Sequence, residues 1–292
     1  PSYKWLSTIG FGSGYVFGAN QTLNAGSAVG GAYNEDITWE STSTTNVGFD
    51  LNLYQNKFNM SLEVFKRKTT NMLLLLPLPS TTGYSSNPYV NIGGVNNTGW
   101  EFTGEYNNRV NELKYSITFN LTHVNNEVVD MGGVAPIIDL FSRTEEGQAI
   151  SSFYGYVVEG IYQSADDIAN SPTLAGAKPG DFKFKDLDNS GTITADDRTY
   201  LGNAIPKFYY GGNVNLAWRA FDLSMQVQGE YKKKIMVEPA FGMDFGGLYD
   251  YANMFTEAYN DRWTKEGDNS YYPALGSGIQ VLIMTVIHDG YK

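Results

Sequence analysis

The chain has 292 residues, 17% of them charged and 14% aromatic, with a formal net charge of −11. It contains no cysteine, which excludes disulfides and thiol chemistry, and its two histidines, His123 and His288, lie too far apart in sequence to suggest a histidine-rich zinc site. The acidic balance lacks the basic footprint that nucleic-acid binding needs, and no apolar run reaches the ~18 residues of a membrane-spanning helix.

Taken in chain order, the segment up to Gly31 is rich in glycine and aromatics and reads as loop; Pro1-Ser2-Tyr3-Lys4 does not read as the start of a signal peptide. A period-two pattern then begins. Val47, Phe49, Leu51 and Leu53 alternate with Asn46, Asp50 and Asn52, and after residues 55–57 Phe58, Met60, Leu62 and Val64 alternate with Asn59, Ser61 and Glu63. Successive strand side chains point to opposite faces, so these are strands with one apolar and one polar side. A long connection over 67–99 contains the apolar run 72–78, interrupted by Pro77. Trp100, Phe102 and Tyr106 against Glu101, Thr103 and Glu105 form the next strand. Residues 107–112 link it to a strand over 113–123. A longer connection, 125–207, holds a short helical turn at 166–170 capped by Ser164 and an extended Phe182-Lys183-Phe184. Strands over 208–218 and 221–232 follow, joined by Arg219-Ala220; the second alternates without error over its twelve positions. An apolar run at 279–287 precedes the last residues.

Short links within each pair make antiparallel hairpins. Short turns at one end and long loops at the other are the asymmetry of an outer-membrane β-barrel, in which strands of ~9–11 residues cross the bilayer at a tilt. The polar face is rich in Asn, Gln, Ser and Thr, as a wet lumen requires, and Trp100, Trp218, Phe221 and Tyr231 at strand ends suit an aromatic girdle. A soluble β-sandwich shows the same alternation and stands as the alternative.

One segment carries the residue types of a metal loop. Asp186, Asp188, Ser190, Gly191 and Thr192 occupy positions 1, 3, 5, 6 and 7 of a twelve-residue calcium loop, with Asp197 at position 12 where Glu is usual. A hard cation needs such oxygen ligands at short spacing, and the expected ion is a structural Ca2+; an acidic turn held by Asx hydrogen bonds is the metal-free alternative. Loop aromatics, Tyr84, Tyr89, Tyr154 and Tyr156 with Tyr249 and Tyr251, offer stacking surfaces for sugars or peptides or pack the loops. Glu145-Glu146 and Asp166-Asp167 read as solvated carboxylates rather than a catalytic pair. The stretch Gly10-Phe11-Gly12-Ser13-Gly14 fits no nucleotide or nucleophile motif and reads as flexible loop. Lys232-Lys233-Lys234 reads as a solvated cluster at a strand end, with a lipid head group or ligand as the alternative contact.

Several runs, in order, resemble the SusC/RagA-type TonB-linked outer-membrane transporters of Bacteroidetes. These are Asn34-Glu35-Asp36-Ile37-Thr38-Trp39-Glu40; Thr44 to Asp50; Asn71 to Pro79 with Gly83-Tyr84; Asn91-Ile92-Gly93 with Asn97-Thr98-Gly99-Trp100-Glu101; Tyr154-Gly155-Tyr156 with Gly160-Ile161-Tyr162-Gln163; and Pro179-Gly180-Asp181 through Asp197-Arg198 to Gly202-Asn203 and Pro206. The resemblance implies a 22-stranded plugged barrel in the outer membrane, energised by TonB through a segment that this chain does not carry. It also implies a SusD-like surface lipoprotein as partner and import of oligosaccharides or peptides, with no reaction catalysed.

The expected fold is therefore all-β: an antiparallel transmembrane β-barrel segment with short periplasmic turns and long extracellular loops, part of a larger plugged barrel. Residues 1–292 are read as the C-terminal part of such a receptor barrel, and 125–207 as a long extracellular loop with the calcium-loop-like insert. The expected contacts are membrane lipid, the lipoprotein and the substrate, with no nucleic acid. The alternative function is a soluble cell-surface β-sandwich that binds carbohydrate.

Overall fold

The computed structural model describes residues 5–6, 8–84, 86–139, 141–236, 256–274 and 287–288. Tyr249, Tyr251, the first four residues and all but Ile287 of the apolar run 279–287 lie outside the described residues. The chain divides into two compact units. The first is Pro1–Ile137, Thr144–Ile150 and Tyr210–Gln228; the second is Ile138–Arg143, Ser151–Tyr209 and Gly229–Lys292.

The chain opens with a hairpin, β1 (Ile9–Phe17) and β2 (Thr22–Val29), where the sequence reads as loop. The glycines at 10, 12 and 14 hide the alternation, and a register shift between Phe11 and Ser13, with Gly12 at φ +101°, breaks the period of two. Pairing is a backbone property, and Gly12 supplies a conformation that other residues rarely adopt. The Gly10–Gly14 stretch is thus strand, not a flexible loop.

Six strands then form one antiparallel sheet. In chain order they are β3 (Ser41–Leu53), β4 (Phe58–Leu75), β5 (Tyr89–Val110), β6 (Leu113–Asp130), β7 (Phe208–Trp218) and β8 (Phe221–Tyr231), and they lie side by side in that order. The three predicted hairpins are present. Their turns rest on residues with positive φ: Tyr54, Gln55 and Asn56 after β3, Asn111 after β5 and Arg219 after β7. The middle turn is tighter than the predicted 107–112, since Val110 already pairs with Leu113.

The register turns the alternation into rows across the strands. Val47, Val64, Trp100 and His123 share one row. Below it come Phe49, Leu62, Phe102 and Leu121, then Leu51, Met60, Gly104 and Phe119, then Leu53, Phe58, Tyr106 and Ile117. The opposite face carries Gly48, Glu63, Glu101 and Thr122, then Asp50, Ser61, Thr103 and Asn120, then Asn52, Asn59, Glu105 and Thr118. Asn59 Nδ2 donates to Glu105 Oε2 (3.2 Å) and Asn215 Nδ2 to Ser116 Oγ (3.2 Å) on this side. The apolar face is not buried: Val47 is 73% and Phe221 71% exposed. In water, so continuous an apolar patch would be a liability; against hydrocarbon it is the required surface. Tyr106 against Tyr115 and Trp218 against Phe221, with ring centroids 5.9 and 6.5 Å apart, mark its short-turn edge.

The central strands are longer than the alternation shows. β4 runs to Leu75 and β5 begins at Tyr89, so the predicted connection 67–99 is largely ladder, and β6 extends to Asp130. Beyond the apolar rows the strict alternation stops, since residues 66–71 of β4 are all polar and 72–75 all apolar, while the backbone pairing continues. This extension has its own core: Val95, Val128 and Met131 are buried, with Met72, Leu74, Ile137 and Ile150 packed against them. Asn71, at φ +57°, sits in a register shift between Thr69 and Met72. The nearby Leu73 N–H is taken up by Glu40 Oε1 (3.0 Å). Asn91 accepts from Thr38 N (2.8 Å) and donates to the carbonyls of Thr38 and Asn71 (both 2.9 Å), while Asn34 Nδ2 donates to the Tyr89 carbonyl (3.1 Å). The run Asn34 to Glu40 thus ties the incoming chain to the sheet extension.

Candidate functional site

Adjacent strands β6 and β7 are separated by the longest connection in the sheet, and the site residues lie largely there. Within the second unit, Ser152–Gly155 pairs with Thr199–Gly202, and Val158–Ile161 with Phe182–Phe184. Ile161, Phe182, Phe184 and Ile193 form its buried core, with Tyr156, Leu174 and Trp263 packed on it.

The predicted helical turn is a helix, Ala165–Ala169, and Ser164 is its N-cap: its side chain accepts from Asp167 N (3.2 Å). Asp167 in turn accepts from Gln163 N (3.1 Å), Lys183 Nζ (3.0 Å) and Ser171 Oγ (3.1 Å). The backbone bond from Gln163, then Lys183, holds its carboxyl below the usual carboxylate range. Beside it Tyr162 is almost wholly buried and donates to the Pro172 carbonyl. Burial, with Asp167 and Asp181 nearby, pushes its phenol up to about 12.

The twelve-residue loop folds as its residue types require. Asp186 accepts from Ser190 N (3.2 Å) and Gly191 N (2.8 Å), and Asp188 Oδ1 accepts from Ser190 N (2.9 Å). Asn189 and Gly191 make the sharp turn at φ +57° and +82°. Asp197 is fully buried; Oδ1 accepts from Leu187 N (2.7 Å) and Oδ2 from Thr194 N (2.7 Å), closing the loop on itself. These N–H donors, Thr194 first, lower its pKa. Carboxylate oxygens of Asp186, Asp188 and Asp197 all lie within 4.8 Å of one another. Ser190 Oγ donates to the Thr192 carbonyl (2.9 Å), which keeps both oxygens at the same turn. The set is all oxygen, which is the donor chemistry of a hard divalent cation, and the carboxylates retain lone pairs beyond those used by the backbone.

Of the four loop tyrosines, Tyr84 and Tyr89 belong to the first unit and Tyr154 and Tyr156 to the second. Tyr84 is 45% exposed before β5, and Tyr89 begins β5 opposite Leu75. Tyr154 packs edge-on against Tyr200 (5.4 Å), with the Arg143 and Arg198 guanidiniums 4.9 and 5.5 Å from its ring centre. Tyr156 lies against Phe184 (5.2 Å) at the core of the second unit.

Sequence reading missed a further set. Trp263 Nε1 donates to Gln163 Oε1 (3.1 Å), which also accepts from Gly267 N (3.0 Å). Ala274 N donates to the Gly180 carbonyl (2.8 Å), and Gly180 N to the Tyr162 carbonyl (2.7 Å). Segment 256–274 is therefore strapped to the Gly160–Gln163 and Pro179–Asp181 runs. Their order in sequence, about a hundred residues apart, gives no sign of this contact.

A family model described as "TonB dependent receptor-like, beta-barrel" matches residues 2–274. The chain belongs to this TonB-dependent receptor barrel family. TonB-dependent receptor P3 of Formosa agariphila is 29% identical over 99% of the chain and 30% of its own length; SusC of Bacteroides thetaiotaomicron is 23% identical over 81% of the chain and 24% of its own. The RagAB peptide transporter shares the fold, with a TM-score of 0.71 at 18% identity over 94% of the chain and 30% of that chain. The chain thus spans about a third or less of the TonB-dependent receptors it matches. Membership places the apolar rows in the lipid of the outer membrane and the polar rows toward the lumen. It also corrects the β-sandwich alternative: the six strands are one continuous sheet in hairpin order, as in a barrel wall. The family consists of receptors, not enzymes.

Proposed function

We propose that the whole receptor imports oligosaccharides or peptides across the outer membrane, driven by TonB through a segment outside this chain, with a SusD-like surface lipoprotein at its mouth. The reading is supported most by the family match over 2–274, carried on a sheet whose short turns lie at one end and whose long excursion lies at the other. RagAB, a peptide transporter of the same fold, favours peptides, and the resemblance to SusC/RagA-type transporters keeps oligosaccharides beside them. The loop expected over 125–207 then begins after Asp130, where β6 ends, and is extracellular. Tyr84, Tyr89, Tyr154 and Tyr156 are the aromatic candidates for substrate contact, and exposed Tyr84 is the one most open to stacking. Deleting the receptor gene should abolish energy-dependent uptake of a fluorescent oligosaccharide or oligopeptide, and Tyr84→Ala should weaken it several-fold. Unchanged uptake of both probes in the deletion strain would refute import.

The loop of Asp186, Asp188, Ser190, Thr192 and Asp197 is proposed to hold a structural Ca2+. A cation bound only by the folded loop adds about 2.7 kcal/mol at a hundred times its Kd. Thermal unfolding of the receptor in detergent, with Ca2+ and then with excess chelator, should show a higher midpoint with the ion, and Asp186→Ala should remove the difference. Equal midpoints for the unmodified receptor would leave the loop as an Asx-bonded turn.

A further inference from the structure

Four apolar rows end on one side at Val47, Val64, Trp100 and His123, where the Trp100 and His123 rings stack at 6.0 Å with a 9° interplanar angle. The next row on the same face is Thr45, Lys66, Thr98 and Asn125, and the one after is Ser43, Lys68, Asn96 and Glu127. Lys66 and Lys68 are two residues apart on one strand, so their side chains leave the same face ~7 Å apart. Both are exposed. Neither makes an ion pair among the described residues, whereas Lys183, Arg219 and Lys233 each do. Glu127, the acid on this face nearest Lys68 in the ladder, is two strands away, and Glu63 points to the opposite face. Thr45 and Thr98 flank Lys66, and Ser43 and Asn96 flank Lys68, each within cross-strand reach.

The position matters as much as the charge. β4 leaves the short turn at 54–57 and climbs toward the long connection, so this basic pair lies just beyond the lipid band on the long-loop side. In this barrel family that is the outer leaflet. An aromatic row at the hydrocarbon edge followed by two free ammoniums and a fringe of hydroxyls is complementary to a phosphate held at the membrane surface. The net charge of −11 makes a basic pair on the lipid face of the sheet contrary to the overall composition. We infer that Lys66 and Lys68, with Thr45 and Thr98, bind the phosphate of an outer-leaflet lipid headgroup. The inference rests on the outer-membrane placement of the sheet. It is independent of what the receptor imports.

The test uses the full-length receptor, extracted from the outer membrane in mild detergent and titrated with phosphorylated lipid A or with the same lipid after dephosphorylation. Bound lipid is read by native mass spectrometry. The wild type should retain the phosphorylated lipid. Lys66→Gln/Lys68→Gln should retain it roughly thirty-fold less strongly, the combined loss of two lysine–headgroup attractions. Lys57→Gln, at the short-turn end, should behave as wild type, and inorganic phosphate should not compete at equal concentration. Both variants replace exposed side chains, and unchanged heat-modifiable gel mobility would verify that they fold. Equal retention by the double variant and the wild type would overturn the inference, as would equal retention of the dephosphorylated lipid. A receptor that fails to fractionate with the outer membrane would overturn instead the placement on which it rests.

Discussion

Leu62→Arg should strongly reduce the amount of folded receptor in the outer membrane, while Ser61→Arg, one residue away, should be tolerated. Leu62 sits between Phe49 and Phe102 in the second of the four apolar rows, on a strand with partners on both sides. Ser61 faces the other way, between Asp50 and Thr103. A guanidinium placed in hydrocarbon near the bilayer middle costs about 2–4 kcal/mol. The same group on the lumen face stays in water and gains acidic neighbours, since Glu63, Glu101 and Asp50 share that face. Urea unfolding in lipid vesicles gives the energy difference, and the heat-modifiable gel shift of outer-membrane fractions gives the folded yield. Two variants with the same loss would mean that the apolar face does not meet lipid.

Gly180→Ala should loosen segment 256–274 from the Gly160–Gln163 and Pro179–Asp181 runs within the second unit. Gly180 lies at φ +92°, where an L side chain is strained. An added Cβ would stand 2.5 Å from Trp263 Cε3 and 2.6 Å from Ala274 Cβ, both closer than real Cβ contacts come. Neither neighbour moves freely: Trp263 packs on the Ile161 and Phe182 core, and Ala274 is bonded through its own N–H to the Gly180 carbonyl. Overpacking of this kind costs about 1–3 kcal/mol, with a further ~1–2 kcal/mol for the backbone. The sum rivals the stability of a local unit and is small beside that of a whole barrel. Amide hydrogen exchange should therefore rise at Trp263 and Ala274, whose N–H groups bond Tyr272 and Gly180, and stay unchanged in β3 to β6. Unaltered protection at Trp263 and Ala274 would show that the contact yields without cost.

Both predictions separate what is local in this chain from what is not. The barrel strands were legible because a bilayer on one side and a wet lumen on the other force side chains to alternate, and alternation is written residue by residue, as in Phe58 to Val64 and Phe221 to Tyr231. The turns, the Ser164 cap and the loop from Asp186 to Asp197 were legible for a similar reason: their partners lie within a few residues, so spacing alone fixes the geometry. The hairpin of Ile9–Phe17 and Thr22–Val29 was not, because glycine carries no pattern while its backbone pairs as well as any other. Nor were the outer halves of β4, β5 and β6, where runs of polar and then of apolar residues replace the alternation although the ladder continues. The core of Val95, Val128 and Met131, the clamp of Asn91 on Thr38, and the seat of Trp263 beside Gly180 were decided only by the tertiary structure. Each joins residues tens to a hundred positions apart, and no single segment contains both halves of such a contact.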